Sequence, residues 1–99
     1  MRRSPRSRAL LADRPSYKYR DDVLAECRRY GVFPTEQTPP ALARGFINEL
    51  YKFELRKLRE RYIRREFPKA DYHRLVIEIR DKYPVLALPP RLWISNAEP

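Results

Sequence analysis

Two side chains in this sequence could do chemistry if partners stood beside them: the single histidine, His73, and the single cysteine, Cys27. A nucleophile or a general acid/base system needs several convergent groups, and a phosphate cradle needs a glycine-rich loop. The chain has only two glycines, Gly31 and Gly45, far apart. His73 lies between Tyr72 and Arg74 and reads as a surface residue. Cys27 is followed by Arg28 and Arg29, which would lower a thiol pKa, but a lone cysteine on a helix is more often a small core residue. The ligand spacings of zinc and calcium sites, such as HxxxH, CxxC and DxDxDG, do not occur. We therefore expect no catalytic residue, no cofactor, no metal and no small-molecule substrate, and hence a protein that is not an enzyme.

A second group of residues could do a different chemistry, contact with phosphates. The stretch RKLRERYIRREF, Arg56 to Phe67, carries Arg56, Lys57, Arg59, Arg61, Arg64 and Arg65, with only Glu60 against them between Arg56 and Arg65. Together with Arg2, Arg3, Arg6 and Arg8, the side chains of Lys57, Arg61, Arg64 and Arg65 are the candidate phosphate contacts. Seven tyrosines add rings of the kind on which single-stranded nucleic acid stacks. Against that reading, Tyr51 and Tyr62 share a helical face with Leu55 and Leu58, so their rings are expected to close an apolar seam. Glu54 with Lys57 and Glu60 with Arg64 are spaced to pair along one helix. No RNP octamer, GXXG loop or zinc finger is present.

The charge is unevenly spread. Residues 1–20 hold seven Arg or Lys against Asp13 alone and supply most of the formal +9, so the chain reads as a basic arm on a nearly balanced body. An Arg- and Ser-rich N-terminus poor in acids also fits an organellar transit peptide, interrupted by Pro5 and Pro15. One unpaired cysteine argues for a reducing, intracellular compartment, and the longest apolar runs are far too short to span a membrane.

Ten prolines separate the periodic segments that must position these residues. Asp21 and Asp22 open, and Arg28 and Arg29 close, a short helix over about 22–30, with Gly31 as its left-handed stop. Thr38 is placed to cap a long helix over 39–66, with Pro39 in its first turn and Pro68 ending it. In its first half Leu42, Ala43, Phe46, Ile47, Leu50, Tyr51 and Phe53 cover about half the circumference. In its second half Leu55, Leu58 and Tyr62 make a narrow stripe. A third helix over 69–83, with Tyr72, Leu75, Val76, Ile79 and Tyr83 at helical spacing, folds back on that stripe. The segment from Lys57 to Tyr83, KLRERYIRREFPKADYHRLVIEIRDKY, resembles the short helical hairpins called SHOCT modules, which implies an interaction role; it lacks their turn glycine and spans about a quarter of the chain.

The expected fold is all-α: a short, a long and an antiparallel helix forming a hairpin over 21–83, a flexible basic arm over 1–20, and an extended proline-rich apolar tail over 84–99. With so small a core and no disulfide or metal, association is the remaining source of stability. We expect a non-catalytic helical subunit or adaptor that binds and stabilises a larger protein assembly through Phe46, Leu50, Phe53, Leu86, Leu88, Leu92 and Trp93. The alternative is an RNA or ribonucleoprotein binder using the basic arm and the Arg-rich helix.

Overall fold

The computed structural model describes residues 16–96. Helix α1 runs Asp21–Arg29, α2 Pro40–Ile63 and α3 Lys69–Asp81, and two 3-10 turns follow at Pro84–Ala87 and Pro90–Leu92. Among the described residues there is no strand, only an isolated antiparallel bridge between Tyr19 and Ile94. The helical hairpin expected from the sequence is therefore present, with α3 packed along α2.

Each helix end has a local cause. Gly31, at φ 78°, donates to the Arg28 carbonyl and Val32 to that of Cys27, the paired bonds of a Schellman stop. Helix α2 closes in the same way, a turn earlier than its proline suggests: Arg65 donates to Tyr62, and Glu66 to Arg61. The residue in the left-handed position there is Arg65, at φ 60°, where glycine would be expected. Glu66 braces this corner, receiving Arg61 Nε at 3.0 Å and Arg64 Nε at 2.9 Å. At the other end of α2 the Thr38 hydroxyl does not cap the helix. It accepts from the Thr35 N–H instead, because Pro40 has no N–H to offer and Leu42 already donates to the Pro39 carbonyl.

The core lies where α1, the first half of α2 and the C-terminal segment meet. Tyr19, Val23, Cys27, Ala43, Ile47, Tyr83, Val85 and Trp93 form one buried cluster. The tail is thus not an extended strip: its prolines nucleate tight turns that fold Val85 and Trp93 into the chain's own core. The Trp93 indole N–H donates to the carbonyls of Val85 and Leu88, both at 3.2 Å, so the ring is buried with its polar group satisfied. Arg44 reaches from α2 to the tail, donating to the Leu86 carbonyl at 2.6 Å and that of Leu88 at 3.2 Å. Glu26 does the same from α1, accepting from the Val85 N–H at 2.8 Å and the Tyr30 hydroxyl at 2.9 Å.

Residues 16–20, read from the sequence as the end of a free arm, form the opposite half of this clasp. Arg20 N–H donates to Trp93, Ser95 N–H to Lys18, and the Asn96 side chain bonds both the Lys18 N–H and the Ser16 carbonyl. The remainder of the basic arm, with Arg2, Arg3, Arg6 and Arg8, lies outside the described residues.

Candidate protein-docking groove

Helix α2 carries apolar residues over a wider arc than its own chain covers. On one side Ala43 and Ile47 are fully buried and Tyr51 packs edge-on to Tyr83, ring centroids 5.6 Å apart. On the other side Leu42, Phe46, Leu50 and Phe53 face outward at i, i+4, i+8 and i+11, forming one stripe along the helix. Phe46 is 54% and Phe53 50% exposed. The loop after α1 supplies a second wall. Tyr30, Gly31, Val32, Phe33 and Pro34 face Leu42, Ala43, Phe46 and Leu50 across an open groove of about 540 Å³. Phe33, 69% exposed, stands on its rim. It is the member of this site that the sequence did not single out, since it follows a helix stop and belongs to no periodic run.

The other expected anchors are distributed differently. Trp93 is fully buried and Leu86 and Leu88 are half-buried against the same core, so these three hold the tail to its own chain. Leu92 is 42% exposed and belongs to the second 3-10 turn, outside the residues lining the groove. The sequence could not separate these roles, because a tail this apolar satisfies an intramolecular and an intermolecular groove equally well.

The expected phosphate contacts are also split. Arg61 and Arg64 are engaged by Glu66, and the shared bonds from Arg61 and then Arg64 hold that carboxyl below its usual range. Lys57 lies over the Phe53 ring at 5.1 Å. Arg65 lines a shallow cradle at the hairpin tip with Tyr62, Ile63, Phe67, Pro68 and Lys69. Beneath it Tyr62 stacks on Tyr72 at 4.5 Å, and Phe67 lies nearly parallel to both. Among the described residues Arg56, Lys57, Arg59, Arg65 and Lys69 form no ion pair.

Two pairings foreseen along α2 give way to others, one longer in range and one shorter. Glu54 bonds Lys82 at 2.8 Å and the Tyr83 hydroxyl, rather than Lys57, and Arg64 pairs with Glu66 rather than Glu60. Partial burial works to raise the Glu54 carboxyl, but the bonds from Lys82 and Tyr83 outweigh it and hold the group below its ordinary range. Burial, with the Glu54 bond, pushes the Tyr83 phenol up to about 12.

The two residues with chemical potential of their own are placed quietly. Cys27 is fully buried, and burial followed by the nearby Glu26 charge pushes its thiol up to about 11, the reverse of the activation Arg28 and Arg29 would give. His73 is exposed beside the Tyr72 ring. Among the described residues no group of His, Cys, Asp and Glu could hold a metal, and no helix is long and apolar enough to cross a membrane. No protein-family model, curated protein or solved structure matches the chain, so the hairpin's likeness to SHOCT modules gains no support from comparison.

Proposed function

We propose that this chain is a small, non-catalytic helical subunit or adaptor that binds and stabilises a larger protein assembly through the outer face of α2 and the groove beside it. The observation that carries the reading is the unbroken stripe of Leu42, Phe46, Leu50 and Phe53, with Phe33 on the rim of the opposite wall, all more than a third exposed. Burying a large apolar side chain is worth about 1.5–3 kcal/mol, and five in one patch are a surface on which a partner gains more than the chain loses by keeping it. The C-terminal tail, expected from the sequence to reach outward, supports the same surface from within, bonded to α2 through Arg44 and to α1 through Glu26.

The test is native purification of the tagged chain at moderate salt with mass spectrometry of its companions, for the wild type and for Phe46→Asp with Phe53→Asp. Both rings lie outside the core, so the double variant should keep its thermal midpoint and lose the companions. Companions retained at wild-type levels would refute the docking face.

A second reading, binding to RNA or a ribonucleoprotein, draws on the unpaired cations Arg56, Lys57, Arg59, Arg65 and Lys69. It predicts companions lost on nuclease treatment, and affinity falling by about 0.7–0.9 log units per log unit of salt for each phosphate neutralised.

A further inference from the structure

We propose that the occupant of the groove is an amphipathic helix with an acidic polar face, contributed by another protein. This rests on the docking reading above and adds the chemistry of the partner. The shape argues for a helix. The exposed stripe from Leu42 to Phe53 is about 16 Å long, three helical turns, and from Leu42 to Leu50 a second wall stands off it, with Phe53 continuing the ridge beyond the groove. Such a trough takes the apolar ridge that a helix presents at i, i+3 or i+4, and i+7.

The charges argue for acidity. Arg28 and Arg29 immediately precede the loop wall, and Arg56 and Lys57 follow Phe53 at the far end of the stripe. None of these four forms an ion pair among the described residues. The acids at the groove are fewer. Glu49, on the edge of the stripe, is already taken by Lys52 at 3.1 Å, Glu36 lies on the loop beyond Pro34, and Glu60, a turn beyond Arg56 on the same face, stands against both Arg56 and Lys57. Both ends of the trough are therefore electropositive, and a helix with Glu or Asp flanking its apolar ridge meets complementary charge at each end. A second copy of this chain would instead set +9 against +9.

The experiment uses the full chain and three fluorescein-labelled synthetic helical peptides of about 14 residues, roughly four turns. One has a Leu/Phe ridge with a Glu-rich polar face, one the same ridge with a Lys-rich face, and one the Glu-rich face with Ala for the ridge. Anisotropy titrations at about 50 and 300 mM salt should show the acidic amphipath binding about tenfold or more tighter than either control, with the preference shrinking as salt screens it. Phe46→Ala and Phe53→Ala should each weaken it about tenfold, whereas Arg56→Glu with Lys57→Glu should abolish the preference for Glu over Lys. Circular dichroism melts check that these exposed substitutions leave the fold intact. Equal binding of the Glu- and Lys-rich amphipaths, or undiminished binding by Phe46→Ala, would overturn the proposal. So would sedimentation of the wild type as a dimer that Phe46→Asp dissolves, which would make a second copy the occupant. If the peptides are not discriminated yet Phe46→Asp with Phe53→Asp still strips the native companions, only the acidic helix falls. If the companions also persist, the docking face falls with it.

Discussion

At the scale of single residues, Arg65 has a backbone setting that departs from its ordinary preference, and Cys27 a thiol shifted by burial. Arg65 occupies the left-handed region at φ 60°, where a residue with a Cβ costs about 1–2 kcal/mol more than in the right-handed helix. The Glu66 bridge to Arg61 and Arg64 is exposed and offsets little of that cost. Arg65→Gly should therefore raise stability by about 0.5–1 kcal/mol in chemical denaturation, after the greater unfolded-state freedom of glycine is subtracted. A lower midpoint would mean that the Arg65 side chain contributes contacts that outweigh the backbone strain.

Cys27 supplies a pH test. Its thiol rises from 9.0 to about 11 on folding, and the Tyr19 and Tyr83 phenols from 10.0 to about 12, with burial the leading cause in each. A group raised in the folded state contributes stability that is complete below its unfolded value and is lost as pH climbs to the folded one. The thermal midpoint should thus fall as pH rises from about 9 to 11, and further towards 12. Cys27→Ala should remove the earlier part of that fall while leaving the later part. An alkaline limb identical in wild type and variant would show that Cys27 does not titrate with folding. In acid the sign reverses for Glu54, whose lowered carboxyl contributes stability that fades as pH drops below about 4.5.

At the scale of elements, the tail and the two halves of α2 behave differently. Replacing Trp93 with Ala removes the largest fully buried side chain and should cost about 3–5 kcal/mol, enough to unfold so small a domain. Arg44→Ala leaves the Leu86 and Leu88 carbonyls without their charged donor and should cost about 1.5–3 kcal/mol, read as a shift in denaturation midpoint. An effect within about 0.5 kcal/mol would show that the tail is held by its side chains alone. Gly45 has open space where a Cβ would stand, so Gly45→Ala should stabilise α2 by up to about 1 kcal/mol in the isolated chain.

At the scale of the molecule, stability is concentrated at one end. All eight members of the buried cluster lie in residues 16–30, 40–50 and 83–96, while α3 contributes no buried residue. Among the described residues Leu58 is the one buried side chain in the far half of the hairpin, which is otherwise held by the half-exposed stack of Tyr62 on Tyr72. Amide hydrogens of α3 and the hairpin tip should accordingly exchange through local opening well before those of α1 and the first half of α2, as read by native-state exchange. Uniform protection along α2 and α3 would show that the hairpin opens only with the whole domain.

How much of this was legible depends on range. The order and type of the three helices, the stop at Gly31 and the seam between α2 and α3 follow from proline placement, charge at helix ends and apolar spacing, which act within a few residues of chain. The second stop at Arg65 was not legible, because no glycine marks it and its bonds depend on Glu66 bending back to Arg61 and Arg64. Nor was the division of the apolar residues. Read from the sequence, Phe46, Leu50 and Phe53 are partner anchors together with Leu86, Leu88, Leu92 and Trp93, and a sequence records how apolar a residue is but not what it touches. Only the packed chain, with Asn96, Ser95 and Trp93 closed on residues 16–20 and Arg44 and Glu26 holding the tail, decides which apolar face the molecule covers itself and which it leaves open. Those contacts join residues far apart in sequence, and their free energy depends on a geometry that no local pattern encodes.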